Sequence, residues 1–148
     1  MSESIALSQR IKLIGFVTLA CVLLDQLSKV VAKSYLNLTE VHSFFGDTVR
    51  FTLAHNRGAF LSLGASLPES IRQPLFSVGV GVLLIALLVY ALRSKALDRL
   101  ALIALALIFS GGASNLGDRV AYGGYVVDYV QVGIGWLRSG QCNWYRST

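Results

Sequence analysis

Three long apolar runs constrain this chain more than any other feature. The first lies within 12–32 (KLIGFVTLACVLLDQLSKVVA), the second covers 75–92 (LFSVGVGVLLIALLVYAL), and the third runs over 100–116 (LALIALALIFSGGASNL). Each approaches the roughly 20 residues a helix needs to cross a bilayer core. Inside hydrocarbon the backbone N–H and C=O groups must pair within the segment, so these runs predict helices. The expected fold class is an all-α membrane protein with three transmembrane helices, organised as one domain over residues 1–148. Composition agrees: 54% of residues are hydrophobic and 14% charged, with a mean hydropathy of +0.61. A soluble domain would hold nearer a quarter charged residues.

The formal charge of +5 does not indicate nucleic acid, because the cations are not gathered on one element among aromatic residues. They fit topology better. Arg10 and Lys12 precede the first run, and Arg93, Lys95 and Arg99 fill the link between the second and third. The positive-inside rule makes those ends cytoplasmic. Residues 36–73, and everything after Asn115, are then expected on the other side. Within 36–73, VRFTLAH (49–55) has the alternation and β-branched content of a strand. HNRGAF (55–60) reads as a turn centred on Gly58, and LPESIRQPLF predicts a short interfacial helix entered after Pro68. Small residues 111–114 should let the third helix approach a neighbour closely.

Cys21 and Cys142 define neither a disulfide framework nor metal-ligand spacing; no metal and no cofactor are implied. Basic residues followed by LIGFVTLAC also resemble the front of a lipoprotein signal peptide with Cys21 as the lipidated residue. Thr18, the continuation of the run beyond the cysteine, and two further spans argue against that reading.

The charged residues admit bland and functional readings. Asp25 and Lys29 sit four apart, suiting an ion pair from which Lys29 snorkels to the interface, yet ionisable residues inside a membrane also mark sites. His42 and His55 carry no partner motif and read as hydrogen-bonded surface residues. Asn56 to Phe60 fit a turn with an apolar anchor. Asp118 with Arg119 fits a helix-end salt bridge, and Asp128 a loop carboxylate. Placed close to a low-dielectric region, however, a carboxylate is expected to hold its proton to higher pH, which suits acid–base work.

Four motifs occur in one order: DQLSK (25–29), HNRGAF (55–60), GGASNLGDR (111–119) and VVDY (126–129). On these the chain resembles the lipoprotein signal peptidase (signal peptidase II) family, from the first span to about Gly140. The resemblance implies an aspartic endopeptidase of the bacterial inner (cytoplasmic) membrane, with its site facing the extracytoplasmic side. Its partners would be membrane lipid and prolipoproteins cut just before a diacylglyceryl-modified cysteine. It further implies four membrane helices, an extracytoplasmic β segment, and a small interfacial helix between the first two. By motif, Asp128 corresponds to one catalytic aspartate. Asp25, Lys29, Asn56, Gly58, Asn115, Asp118 and Arg119 correspond to residues that shape the site or hold substrate.

The likeness fades after GWLRSG (135–140). The family's second aspartate lies in an FN-x-A-D block opening a fourth helix. Here QCNWYRST follows, with Asn143 at the family's asparagine and Arg146 at the expected aspartate. The expectation is a truncated or frameshifted member with an atypical tail over 141–148 and impaired cleavage. Three alternatives stand beside it: an Asp118–Asp128 pair as the working dyad, a non-catalytic protein that binds lipidated precursors or other membrane partners, and a small transporter using Asp25 and Lys29 as a proton relay.

Overall fold

A computed structural model describes residues 5–57, 67–134 and 137–138. Its helices are α1 (Leu7–Tyr35), α2 (Glu69–Pro74), α3 (Val80–Arg93) and α4 (Arg99–Ala121). A sheet of order β1-β2-β3-β4 joins β1 (His42–Phe44), β2 (Val49–Asn56), β3 (Val126–Ile134) and β4 (Leu137–Arg138), each pair antiparallel. The predicted strand at 49–55 is β2, while the pairing of residues after Val126 was not anticipated. Gly58 and the tail residues Asn143 and Arg146 lie outside the described residues.

Among the described residues, three helices are long and apolar enough to span a membrane: Leu7–Tyr35, Glu69–Arg93 and Arg99–Ala121. All three sequence-predicted spans are found, with longer ends. Their outward faces stay bare, with Phe16 74%, Leu83 69% and Leu100 75% exposed; in water such faces would aggregate, whereas lipid accepts them. The short helix begins after Pro68 as predicted, with Ile71 and Arg72 donating their N–H groups to the Pro68 carbonyl. It does not end before the span. Pro74 has no N–H to give to the ladder, and the chain passes through a π-helical turn, Leu75–Gly79, directly into α3. A π turn is a common way for a helix to continue past such a defect.

The core between the helices is small. Ile14, Ala91, Leu102 and Ala106 form it, Leu102 being 0% exposed. Small side chains suit helices that associate by close packing rather than by escaping water. Gly112 shows this directly, since a Cβ there would lie 2.7 Å from Leu84 Cδ2. The small run at 111–114 thus does bring α4 against α3.

At the end formed by the α1 N-terminus, the α3 C-terminus and the α4 N-terminus, Arg10 is buried. Its guanidinium donates to the carbonyls of Ile5 (2.9 Å), Ala91 (3.0 Å) and Ser94 (2.5 Å). The last two belong to the carbonyl-rich end of α3, where a cation is favourable. Asp98 caps α4 by accepting from the Ala101 N–H at 2.8 Å, a standard N-cap arrangement.

Candidate active site

Two local devices bring α4 and β3 together. Tyr122 ends the helix, Gly123 adopts φ +68°, and Gly124 donates its N–H back to the Arg119 carbonyl at 2.8 Å. This closure requires a left-handed residue, which glycine supplies without a Cβ clash. It reverses the chain within a few residues, so that β3 starts beside the last turn of α4. The second device is a bulge in β2: Phe51 pairs with Val130 and Ala54 with Asp128, so three steps on one strand match two on the other. The extra residue resets the alternation and puts Ala54 opposite Asp128. Asn56, two residues on, is then the diagonal neighbour of Asp128 on one face. Asn56 Nδ2 donates to Asp128 Oδ2 at 2.9 Å.

Beneath Asp128 lies a polar network linking α1, α4 and β3. Lys29 Nζ is 2.6 Å from Asp25 Oδ2 and 2.8 Å from Asp118 Oδ2. Asp118 is 2% and Lys29 5% exposed. The predicted Asp25–Lys29 pair is therefore present, but Lys29 does not snorkel outward; it turns inward because a second carboxylate waits on α4. Likewise Asp118 bridges to Lys29 across helices, since consecutive helical residues such as Asp118 and Arg119 do not face each other. The second Asp118 oxygen, Oδ1, accepts from Gln26 Nε2 at 2.9 Å, and the same amide reaches Ser114 Oγ at 2.9 Å. Ser114 Oγ in turn donates to Asp25 Oδ2 at 2.5 Å. Finally the Val127 N–H donates to Asp118 Oδ2 at 3.2 Å. The network thus holds the backbone next to Asp128.

Gln26 and Ser114 were not singled out in the sequence. The available signal was Gln26 beside Asp25, one helical step away within an otherwise apolar run. Tyr129 was also missed; its hydroxyl donates to Ser28 Oγ at 2.8 Å, tying β3 to α1. Arg119 is buried, with its guanidinium 5.8 Å from the Phe76 ring centroid. Asn115 lies on an exposed face of α4, apart from this network. His42 is exposed, 4.0 Å from Glu40. His55 packs on Tyr125, ring centroids 4.3 Å apart, and Tyr125 stacks on Tyr122 at 5.5 Å. Burial, then Lys33 and Arg57, push the His55 pKa down.

Asp128 is partly buried, and that burial raises its pKa above the ordinary carboxylate value. The Asn56 hydrogen bond, Lys29 and Arg119 pull the other way, and Asp118 adds to the rise. The direction agrees with the sequence expectation. Asp128 Oδ1 accepts no hydrogen bond from a described residue, whereas both Asp118 oxygens are occupied. Chemically, Asp128 can take a proton from a water molecule; Asp118 is committed to structure.

Fold and site together define a multi-pass membrane protein with a carboxylate at one end of its helix bundle, carried on a small antiparallel sheet. Residues 17–145 match the family model described as signal peptidase (SPase) II. The chain is 36% identical over 126 residues to the lipoprotein signal peptidase of Borrelia hermsii, covering 83% of this chain and 73% of that one. It is 35% identical over 115 residues to the lipoprotein signal peptidase of Treponema denticola, covering 78% and 66%. The chain belongs to the signal peptidase II family. It spans about two thirds of the length of several relatives, 65% for that of Borrelia turicatae. Among solved structures, a bacterial membrane enzyme determined by the in meso method shares the fold, with TM-score 0.70 and 23% identity over 85% of this chain and 78% of that one.

Proposed function

We propose that this chain is an aspartic endopeptidase that removes signal peptides from diacylglyceryl-modified prolipoproteins at the outer face of a bacterial inner membrane. The observation that carries the reading is Asp128: a partly buried carboxylate with one oxygen held by Asn56 and the other accepting no hydrogen bond from a described residue, close to the end of a membrane-spanning helix. Ionised, it takes a proton from water as that water attacks the scissile carbonyl, and returns the proton to the departing amine as the C–N bond breaks. No covalent intermediate is required. Lys29 and Asp118, with Asp25, support the strand rather than touch substrate, and Asn56 orients Asp128. Arg119, Asn115 and Gly58 are proposed to contact the peptide, a role that rests on the family motifs.

In the family pattern a second, protonated carboxylate polarises the carbonyl, because two close carboxyl groups share one proton. Asp118 does not suit that part: Lys29, Gln26 and the Val127 N–H already use both of its oxygens. Arg146 stands where the family motif has its aspartate, so cleavage by this chain is proposed to be slow. The test is cleavage, in membranes containing the chain, of a diacylglyceryl-modified precursor and of the same precursor with an unmodified cysteine. Cleavage confined to the lipidated form, and lost in Asp128→Asn, supports the reading. No cleavage by either chain would leave a precursor-binding protein in its place.

A further inference from the structure

The bundle end away from Asp128 contains a cleft of about 500 Å³, lined by Ile5, Gln9, Lys12, Leu13, Phe16 and Arg99. Its position follows from the helices: Lys12 and Asp25 lie 13 residues apart on α1, about 20 Å along its axis. Two chemistries meet in the cleft. Ile5, Leu13 and Phe16 make an apolar floor, while Lys12 and Arg99 are exposed cations beside it. Gln9 adds a neutral hydrogen-bonding group.

Among the described residues the charges there have no internal use. Arg10, between Gln9 and Lys12, turns inward and is consumed by backbone carbonyls. Among the described residues no carboxylate pairs with Lys12 or Arg99. Asp98, adjacent in sequence to Arg99, directs its Oδ1 to the Ala101 N–H. A small soluble anion would satisfy the cations and leave the apolar floor uncovered. A zwitterionic lipid would cover the floor but bring its own cation to a site already holding two. An anionic amphiphile satisfies both halves, and the volume falls within the roughly 300–1,000 Å³ of small-molecule sites.

We infer that this cleft binds an anionic phospholipid, with its phosphodiester between Lys12 and Arg99 and an acyl chain along Leu13 and Phe16. Basic pockets between membrane helices are suited to such headgroups. The site is separate from Asp128, and its occupancy does not depend on the proteolytic reading.

The experiment titrates the full chain in mild detergent with phosphatidylglycerol or phosphatidylcholine of identical acyl chains and counts bound lipid by native mass spectrometry. Phosphatidylglycerol should be retained roughly tenfold more than phosphatidylcholine. The preference should fall to parity in Lys12→Gln/Arg99→Gln and persist in Lys95→Gln, which removes a cation at the same end but outside the cleft. Inorganic phosphate in excess should not displace the lipid. Parity in the unaltered chain, an undiminished preference in the double variant, or an equal loss in Lys95→Gln overturns the inference. Displacement by free phosphate overturns it too, assigning a simple anion site. Should the double variant not fold, phosphatidylglycerol bearing a diazirine on its acyl chain decides the matter with the unaltered chain. Labelling concentrated around Leu13 and Phe16 supports the site; labelling spread evenly over the three spans refutes it.

Discussion

Each end of the helix bundle buries a cation between helices, Arg10 at one and Lys29 at the other, and these two are satisfied in opposite ways. Arg10 is met by neutral carbonyl groups of Ile5, Ala91 and Ser94. Lys29 is met by two carboxylates, Asp25 and Asp118. The first arrangement is a staple: dipoles absorb the charge and the chain stops there. The second is connected onward, through Asp118 to the Val127 N–H and so to the residue before Asp128. The difference shows what each arrangement fixes in this fold. A buried cation among carbonyls fixes helices only, whereas one among carboxylates also fixes the strand that presents a further acid.

The comparison can be broken by substitution. Lys29→Met leaves Asp118 buried without its ion-pair partner, a change expected to cost about 3–5 kcal/mol. Thermal unfolding in detergent should show it, and cleavage should fall with it. Arg10→Leu strands two carbonyls at the end of α3, for about 1–3 kcal/mol. Here the surviving folded molecules should cleave as before; a proportionate loss of cleavage per folded molecule would erase the distinction between the two ends. Gln26→Leu sharpens it further. That change removes the bonds to Asp118 and Ser114 and should cost about 0.6–2 kcal/mol, the range for polar contacts between membrane helices. Its cleavage rate should drop while the overall helix content, read by circular dichroism, is kept.

The smallest effect is a pH dependence. Burial raises the Asp128 pKa, so the folded chain keeps that proton to higher pH than the unfolded chain does. The resulting stability is fully present below the unfolded value, about 3.9. It is lost as pH rises from there through the folded value. Unfolding midpoints measured across that window should decline in the unaltered chain, with this contribution absent from Asp128→Asn.

Much of this was legible from residues alone, for reasons that can be stated. A run such as 75–92 has one viable conformation in hydrocarbon, so the spans could be read directly. The extension of α1 to Tyr35 could not, because polar residues such as Lys33 and Ser34 can stay helical once outside lipid. The Asp25–Lys29 pair follows from helical spacing, but Asp118 is 89 positions from Lys29, and no local rule links them. Gln26 and Ser114 lie inside the quoted motifs, but an amide and a hydroxyl carry no charge pattern that marks them as partners of Asp118 and Asp25. The β2 bulge, on which the Asn56–Asp128 contact depends, is fixed by pairing with a strand some 70 residues away. Arg10 reads from sequence as a cation flanking the first span, yet its burial depends on the far end of α3, which the N-terminal sequence does not reveal.

One paired measurement tests the central claim most directly: cleavage of a lipidated precursor and thermal stability, both on Asp128→Asn beside the unaltered chain. If Asp128 is the working carboxylate and Lys29–Asp118 its support, cleavage falls at least about a hundredfold while the unfolding midpoint near neutral pH holds or rises. An Asp128→Asn chain that still cleaves within a fewfold of the unaltered one would contradict the account.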